Sequence, residues 1–414
     1  MADTQWRTVA LSEVCSLRAD TVAPQDALEL PYVGLEHIDS GQPNLRRRGN
    51  ASEVRSTKNR FRCGDVLYGK LRPYLDKAVL ADNDGICSTD ILVLSPSEQL
   101  EAGFLVNLLH SQPLIEHAVK TTHGVNHPRT SWSGLGQFEF SLPPLPQQQA
   151  ITRVLQTVQK AKETRQRKLA LERERKAALM EFLFTCGIRG ESRKHTEVGD
   201  IPVSWRVVNL EDAVTKIDYG ISAPIPVSTP PGAVKIVSTA DITKDGRVLY
   251  DKIRRIEAPE RAVARLTLRT GDVLFNWRNS PELIGKTAVF EEQDEPHVFA
   301  SFILRIECDE RMSHNFYLAQ LLNYFRERGV FVTLSRRAVN QANYNRNEIS
   351  ALKIPLPECN EQREISRLIL SCDNAIAFTS KEVLILDELF QAMLQRLISG
   401  RVDIRPLIEK WTIN

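Results

Sequence analysis

Basic side chains are concentrated in an early segment of the sequence. Residues 45–77 contain ten lysines and arginines against three acidic residues, although the chain of 414 residues has a net charge of only +2. Lysine and arginine neutralise phosphates, and arginine, asparagine and glutamine can form paired hydrogen bonds with base edges. This segment is therefore a candidate surface for a polyanionic ligand. Its candidate contact residues are Arg46, Arg47, Arg48, Lys58, Arg60, Lys70 and Arg72.

A similar mixture of side chains recurs in the second half of the chain. The stretch SRRAVNQANYNRN at 335–347 combines arginine with asparagine and glutamine, and NWRNS at 276–280 is a shorter example. A solvated surface is the alternative for any single basic residue. Because the clusters lie at matching places in both halves, the pattern favours nucleic acid as the ligand. The remaining candidates are Asn126, Arg129, Asn276, Arg278, Asn279, Lys286, Arg336, Arg337, Asn340 and Asn343.

The sequence carries no recognisable catalytic or metal-binding motif. It has no phosphate-binding loop, dinucleotide-binding glycine pattern or nucleophile elbow. His123 and His127 have the spacing of a helical metal site, but a glycine lies between them and no third ligand is near. Asp65 and Asp272 each follow a glycine before a strand-like run, where turn chemistry is the simpler explanation. We expect a non-catalytic chain that binds no metal and no cofactor of its own.

Cysteine usage and hydropathy indicate the cellular compartment of the protein. The seven cysteines are scattered and form no C-x-x-C pair, which predicts free thiols. No apolar run approaches the roughly 20 residues that span a bilayer, and the first residues lack the features of a signal peptide. We therefore expect a cytoplasmic protein without a membrane partner.

The chain repeats itself at an offset of 214 residues. Between residues 125 and 189 the two copies align without a gap, so that Gln148 falls on Gln362. Upstream, WRTVALSEV resembles WRVVNLEDAV, and GDVLY at 64–68 resembles GDVLF at 271–275. Solenoid repeats are only about 20 to 50 residues long, so this period indicates duplication of a whole domain.

Each copy is predicted to contain a globular part followed by one long helix. Short β-rich runs such as KAVLA and TDILVLS predict strands, and EAGFLVNLLHSQ predicts a helix, so the globular parts are α+β. Proline brackets, LPPLP at 142–146 and IPLP at 354–357, then end a strand before a long helix begins. The sequence thus predicts two globular domains separated by two long antiparallel coiled-coil helices, with internal pseudo-two-fold duplication. The expected boundaries are a first domain at 1–143, a helix at 144–189, a linker at 190–204, a second domain at 205–357, a helix at 358–402 and a tail at 403–414.

The two helices have complementary seams. In the second helix the apolar positions are spaced alternately by four and three residues, as in a coiled coil, whereas the first seam is charged in its middle. Residues 160–176 carry eight bases and three acids, and residues 372–390 carry four acids and one base, which favours antiparallel pairing. A solvated middle turn is the alternative. The apolar seam positions are Ile151, Leu155, Val158, Leu169, Leu179, Leu183, Ile365, Ile369, Ile376, Val383, Leu386, Phe390 and Leu397.

These motifs resemble those of one protein family, the specificity (S) subunits of Type I restriction-modification systems. PLPQQQAITRVL with ALMEFLFTCGIRG, and PLPECNEQREISRLIL with QAMLQRLISGRVDI, resemble the conserved helices of that family. YVGLEHID, GDVLYGKLRPYLDKAVL and GDVLFNW resemble its target-recognition domains, so the resemblance covers nearly the whole chain. One departure is PQQQ, where the family usually has Glu-Gln-Arg. Another is Cys186, which aligns with Gly400, so we expect the first helix to end differently from the second.

The resemblance implies a subunit without enzymatic activity that binds an asymmetric, bipartite DNA sequence. It implies one target-recognition domain per half-site and a spacer set by the helices at 148–183 and 362–397, which also dock two modification subunits. Those subunits would methylate adenine at N6 with S-adenosylmethionine, and restriction (translocase-nuclease) subunits would cleave DNA with ATP and magnesium. DNA contacts are implied near Lys70–Arg72, near Asn276–Arg278 and in the Asn126 and Asn340 loops. A coiled-coil adaptor and a DNA-binding regulator remain the alternatives.

Overall fold

A computed structural model describes residues 6–225, 232–334, 336–338, 341–406 and 408, with side chains left out at 333, 334, 336–338, 341 and 342. The chain forms two compact units. Unit 1 comprises residues 1–167 and 380–414, and unit 2 comprises residues 168–379. No helix in the part described is long and apolar enough to cross a membrane.

The described residues of unit 1 form eleven strands, four short helices and parts of two long ones. Its strands are β1 (Arg7–Ala10), β2 (Cys15–Leu17), β3 (Thr21–Val22), β4 (Pro31–Val33), β5 (Gly49–Asn50), β6 (Lys58–Phe61), β7 (Val66–Gly69), β8 (Ala78–Leu80), β9 (Gly85–Cys87), β10 (Ile91–Pro96) and β11 (Glu139–Leu142). Its helices are α1 (Leu11–Val14), α2 (Ala102–Leu109), α3 (Gln112–Lys120), α4 (Trp132–Leu135) and the start of α5 (Leu145–Cys186).

Unit 2 has fourteen strands in its described residues. They are β12 (Arg193–Thr196), β13 (Gly199–Pro202), β14 (Arg206–Asn209), β15 (Val214–Tyr219), β16 (Val234–Val237), β17 (Arg255–Ile256), β18 (Val273–Asn276), β19 (Arg278–Asn279), β20 (Thr287–Val289), β21 (His297–Phe299), β22 (Ile303–Cys308), β23 (Arg336–Ala338), β24 (Gln341–Asn343) and β25 (Lys353–Leu356). Its helices are α6 (Glu260–Leu266), α7 (Asn315–Glu327), α8 (Val330–Leu334), α9 (Arg346–Ser350) and the first part of α10 (Cys359–Ile398).

The sheets confirm the duplicated α+β fold. In unit 1 the strand order β2-β10-β7-β8 forms one sheet, and β1 pairs with β11 before the proline bracket. In unit 2 the order β15-β22-β18-β20 repeats that sheet, and β14 pairs with β25 in the same way. Unit 1 adds the sheet β3-β6-β9-β4-β5, while unit 2 adds the sheet β17-β16-β21.

In each repeated sheet, one central strand places apolar side chains on both faces because both faces are covered. In β10, Leu92 and Leu94 join the core that includes α2, whereas Ile91 and Val93 face a second core. In β22, Leu304 likewise packs in the core that contains α7, and the preceding residue faces another core. Each fully buried aliphatic side chain contributes about 1.5–3 kcal/mol.

Each compact unit includes the start of one long helix and the end of the other. In unit 1, Ile151 and Leu155 of α5 share a core with Phe390 and Leu397 of α10. In unit 2, the end of α5 shares a core with the start of α10, through residues that include Leu183, Ile365 and Ile369. The helices are therefore antiparallel within each unit. This packing explains why the units divide both helices instead of following the proline brackets.

The other seam positions are half-buried, and the charged ones are paired. Val158, Leu169, Leu179, Ile376, Val383 and Leu386 are all of intermediate exposure. In unit 1, Lys162 lies 2.9 Å from Asp387, and in unit 2, Lys176 lies 2.6 Å from Asp373. Lys162 is only 2% exposed, so this position is not a solvated turn.

A buried glutamine fixes the start of each long helix to its globular part. Gln148 Nε2 donates to the carbonyls of Pro143 and Gln99, and its Oε1 accepts the backbone N–H of Glu101. In unit 2, Gln362 repeats all three bonds, to Pro357, Met312 and His314. The repeated glutamine thus provides partners for one carbonyl of each proline bracket and for two backbone groups that precede α2 in unit 1 and α7 in unit 2. 

The glycine-aspartate turns before β7 and β18 are equivalent. Gly64 and Gly271 have φ values of +90° and +95°, in the left-handed region that favours glycine. The carboxylate of Asp65 accepts the backbone N–H of Arg62 at 2.8 Å, and the carboxylate of Asp272 accepts the corresponding bond at 2.9 Å. Both aspartates therefore close turns, as the sequence indicated.

The electrostatic environments of the two aspartates differ. Burial alone would raise the pKa of Asp65, but hydrogen bonds from Arg18 and Ser95 outweigh it and hold the pKa below its ordinary value. Asp272 has a more distant cation, since Arg305 lies 3.9 Å away, and burial raises the pKa of its carboxyl. The pKa values of the two equivalent carboxyls are thus shifted in opposite directions.

Two expectations about segment ends are corrected. The stretch 190–204 is not an open linker, because β12 and β13 form an antiparallel hairpin whose Ile201 is buried in the core of unit 2. The two long helices also end alike. Gly187 follows α5 at φ +65° and lies against Trp205, and Gly400 follows α10 at φ +68° and lies against Trp6. The structural counterpart of Gly400 is therefore the residue after Cys186.

Candidate nucleic-acid interface

In unit 1 the fold joins two candidate segments that are far apart in sequence. The loop after β7 runs beside the segment 123–130, where Leu71 and Arg129 form a β-bridge. The backbone N–H of Thr130 donates to the carbonyl of Lys70 at 3.1 Å, and that of Arg72 donates to Pro128 at 2.8 Å. Lys70, Arg72 and Arg129 are therefore brought onto one joined pair of loops, which we call junction 1. Asn126 is exposed in the same segment.

Unit 2 builds the same junction with regular strands. β24 pairs with both β19 and β23, so that Arg278 lies opposite Asn343. The backbone N–H of Tyr344 donates to the carbonyl of Trp277 at 2.8 Å, as Thr130 does to Lys70 in unit 1. We call this arrangement junction 2. It contains the candidates Arg278, Asn279 and Asn343. The structure describes only the backbones of Arg336 and Arg337, and Asn340 lies outside the described residues.

Junction 1 is dominated by charge. Arg129 donates two hydrogen bonds to the carboxylate of Asp90, at 2.8 and 3.2 Å, and these bonds hold the pKa of Asp90 below its ordinary value. Arg72 is exposed and has a φ of +51°, and Asp76 has a φ of +50°. Left-handed backbone at residues other than glycine is strained by on the order of 1 kcal/mol and is concentrated at functional sites.

The strained segment of junction 1 is held from below and exposes an aromatic side chain. Asp76 is bound by His110, whose Nδ1 lies 2.7 Å from its carboxylate and whose Nε2 contacts the carbonyl of Ala78. Between the two strained residues, Tyr74 and Leu75 are exposed. The segment therefore presents an arginine beside apolar surface on a fixed backbone.

Three of the candidate residues are buried and bind groups of the protein itself. Lys58 Nζ donates to the carbonyl and hydroxyl of Ser56, at 2.7 and 2.6 Å. Lys286 Nζ donates to two backbone carbonyls, one of them that of Thr239 at 2.6 Å, and burial lowers its pKa. Asn276 is fully buried in β18. These side chains support the fold and do not face a ligand.

The arginine run of unit 1 is paired with acidic residues. Arg46 lies 2.8 Å from Glu163 of α5, Arg47 binds Asp39, and Arg48 binds Asp82. These three arginines are thus tied to unit 1 by ion pairs outside junction 1. Arg60 is half-buried in β6.

Two residues at the junctions were not among the candidates from the sequence. Asp90 precedes β10, and the equivalent residue before β22 is Phe302, because Lys70 N–H donates to Asp90 as Trp277 N–H donates to Phe302. Neither residue belongs to a basic cluster. The sequence repeat suggested that these two positions correspond, and the strand pairing establishes it.

The described residues contain no metal site. No group of three or more histidine, cysteine, aspartate or glutamate side chains among them is placed to hold a metal ion. His123 and His127 lie exposed in the loop of junction 1.

The sequence matches the family described as Type I restriction modification DNA specificity domain. The match occurs twice, at residues 4–173 and 202–385, and together the two segments cover most of the chain. The chain therefore belongs to this family, whose duplicated domain corresponds to the repeat seen in the two units.

Two curated relatives come from Methanocaldococcus jannaschii. The putative type I restriction enzyme MjaX specificity subunit is 31% identical over 217 residues, which are 51% of this chain and 49% of that protein. The chain thus spans about half the length of that relative. The type I restriction enzyme MjaVIII specificity subunit is 25% identical over 395 residues, which are 91% of this chain and 87% of that protein.

A solved structure has the same fold. The crystal structure of a Type-I restriction-modification system S subunit from M. genitalium matches with a TM-score of 0.61 and 12% sequence identity. The match covers 96% of this chain and 97% of the other. At this identity the likeness concerns the fold alone.

Proposed function

We propose that the chain is the DNA specificity subunit of a Type I restriction-modification complex, and that each unit reads one half of an asymmetric, bipartite site in duplex DNA. The observation that carries this proposal is the junction built at the same place in both units from segments with arginine and asparagine side chains. The side chains at the two junctions differ, so the two half-sites differ in sequence. Arginine pairs with guanine and asparagine with adenine in the major groove.

The long helices serve in this proposal as the spacer and as the docking surface for two modification subunits. Both helices expose large apolar side chains, including Phe182 and Phe378 in unit 2 and Leu384 and Ile385 in unit 1. Phe378 is 64% exposed and Leu384 is 59% exposed. Exposed apolar surface of this kind marks sites of protein–protein contact. A helix used only as a spacer would have no need of it.

The chemistry belongs to the partner subunits. The modification subunits bind S-adenosylmethionine and methylate adenine at N6, and restriction (translocase-nuclease) subunits use ATP and magnesium to cleave unmethylated DNA. This chain supplies sequence recognition and assembly, and it binds no cofactor and catalyses no step. We place the complex in the cytoplasm, where chromosomal DNA, S-adenosylmethionine, ATP and magnesium are available.

The proposal is tested by matched variants of the two junctions. Arg72 and Asn279 occupy equivalent positions, since Arg72 donates its backbone N–H to Pro128 and Asn279 lies opposite Ala342, the residue 214 positions after Pro128. In the complex with the modification subunit, Arg72→Ala should relax sequence preference in one half-site only, and Asn279→Ala in the other only. Each lost base contact should weaken binding by about 1–3 kcal/mol.

The readout is binding to duplexes with single substitutions across both half-sites. The proposal that the junctions read the bases would be contradicted if one variant relaxed sequence preference in both half-sites equally. It would also be contradicted if neither variant changed DNA binding. Binding of the modification subunit without any affinity for DNA would instead favour a coiled-coil adaptor.

A further inference from the structure

Junction 2 carries an aromatic cluster that junction 1 lacks. The Trp277 ring lies between two others, with its centroid 5.4 Å from that of Tyr219 and 6.1 Å from that of Phe302. Both contacts are close to perpendicular, at 77° and 78°. Phe302 is 44% exposed and Tyr219 is 38% exposed. Apolar surface is therefore open to solvent at the place where unit 1 has the Asp90–Arg129 ion pair.

Hydrogen bonds to the backbone fix this cluster in place. Trp277 Nε1 donates to the carbonyl of Ser301 at 2.7 Å, and the hydroxyl of Tyr219 accepts the backbone N–H of Arg346 at 2.8 Å. Phe302 immediately precedes the buried central strand β22. An exposed ring on such a rigid base loses little conformational entropy when it binds a ligand.

An arginine lies over the exposed ring. The guanidinium carbon of Arg278 is 5.0 Å from the centroid of Phe302, in the range of a cation–π contact. The guanidinium therefore covers one face of the ring, and the other two rings meet each other edge to face. Among the side chains of junction 2 that the structure describes, no open slot between parallel rings is left for stacking an extruded base, so the available contact is with the uncovered part of Phe302.

We propose that Phe302 contacts the C5 methyl group of a thymine in the half-site read by unit 2, and that Arg278 donates to a guanine beside it. The inference rests on the proposed function of the chain. Among the four bases only thymine presents a methyl group in the major groove, and arginine to guanine O6 and N7 is the commonest specific contact there. Unit 1 has Asp90 at the equivalent position and gains nothing from such a methyl group.

Deoxyuridine tests this inference because it removes the methyl group and keeps the pairing of thymine. The recognition sequence would first be found by methylation sequencing, and each thymine of the unit 2 half-site would then be replaced singly in a duplex. One replacement should weaken binding of the purified complex about four-fold, the effect expected for one buried methyl group. Replacement of thymines in the unit 1 half-site at equivalent positions should have no such effect.

Variants of the ring locate the effect. Phe302→Ala should bind the thymine and deoxyuridine duplexes equally, whereas Phe302→Leu, which keeps an apolar side chain, should retain part of the preference. Leu249→Ala removes another exposed apolar side chain of unit 2 and should retain all of it. Arg278→Lys should weaken discrimination at the neighbouring guanine, because lysine lacks the planar fork.

Three results would overturn the inference: a unit 2 half-site without thymine, equal binding of every deoxyuridine duplex by the wild-type complex, or a preference that survives in Phe302→Ala. In each of these cases the complex still binds a bipartite site, and the proposed function stands. If the complex bound no bipartite duplex at all, the proposed function itself would be contradicted.

Discussion

Lys162 Nζ lies 2.9 Å from a carboxylate oxygen of Asp387 and 5.3 Å from the centre of the Phe390 ring, in the seam between α5 and α10. A buried cation at an apolar seam position is costly unless it is paired. The corresponding pair in unit 2, Lys176 with Asp373, lies two heptads away on each helix. The pairs therefore specify the antiparallel alignment of these helices within each unit.

Removing one partner of the unit 1 pair should cost more than removing both. Asp387→Ala leaves Lys162 buried without its carboxylate and should lower the free energy of unfolding by about 1–3 kcal/mol. The double variant Lys162→Met with Asp387→Leu should lie close to the wild type, because it removes the buried cation together with its exposed partner. Urea unfolding followed by helical circular dichroism measures the difference. Lys160→Met, at an exposed position of α5, is the control, and an additive double variant would contradict the pairing.

The glutamine at each helix start should matter far more than its neighbour. Gln148→Ala removes three hydrogen bonds and leaves an N–H and two carbonyls without partners, so we expect a loss of about 2–4 kcal/mol. Gln149→Ala changes an exposed side chain and should cost less than about 0.5 kcal/mol. Thermal unfolding of the two variants checks this contrast. Equal stabilities would show that the bracket is held by other contacts.

The pH dependence of stability should separate the two equivalent aspartates. The pKa of Asp65 is lowered in the folded chain, so its contribution is present above the unfolded value of about 3.9 and is lost as the pH falls through the folded pKa. Asp65→Asn should therefore be destabilised at pH 7, and its difference from the wild type should shrink below about pH 4. Unfolding midpoints measured from pH 7 to pH 3 test this.

Asp272 should behave in the opposite way. Because burial raises its pKa above the unfolded value, its contribution is present below about pH 3.9 and is lost as the pH rises through the folded pKa. Relative to the wild type, the free energy of unfolding of Asp272→Asn should therefore be higher at pH 7 than at pH 3. The same slope for both variants would mean that Arg18 does not distinguish the two sites.

The exposed apolar side chains on α10 should be needed for assembly but not for folding. Phe378→Asp and Leu384→Asp replace large exposed groups, so the free chain should keep its unfolding midpoint while binding of the modification subunit falls at least ten-fold. Asn374→Asp adds a charge at an exposed position of the same helix and is the control. Calorimetric titration with the modification subunit gives the affinities, and unchanged binding by both variants would place the docking surface elsewhere.

The repeat and the period of the helix seam made the architecture predictable. Duplication of residues such as Gln148 and Gln362 is visible at a fixed offset, and an unbroken four-three spacing has few structural solutions. The side-chain directions were not predictable, because a count of basic residues does not show which ones are buried. Lys58 and Lys286 stand in basic or polar segments, yet the sheets turn them towards carbonyl and hydroxyl groups of the protein.

The junctions depended on strand register, which the sequence does not display. The equivalence of Asp90 and Phe302 is established by the pairing of β10 with β7 and of β22 with β18. Similarly, the hairpin within 190–204 is short, and among the residues described it contributes only Ile201 as a buried core residue, with the partly buried Val198 packed against the same core. A short, largely polar segment with so few apolar residues resembles a linker until its partner strand is known.

The most direct test of the account is the methylation pattern that the chain directs in a cell. Co-expression with its modification subunit, followed by methylation sequencing of the host DNA, should show N6-methyladenine in both halves of one split, asymmetric motif. Replacing residues 1–143 with the first domain of another family member should then change one half of that motif and leave the other intact. A continuous or palindromic motif, or a change in both halves after the replacement, would contradict recognition of one half-site by each unit.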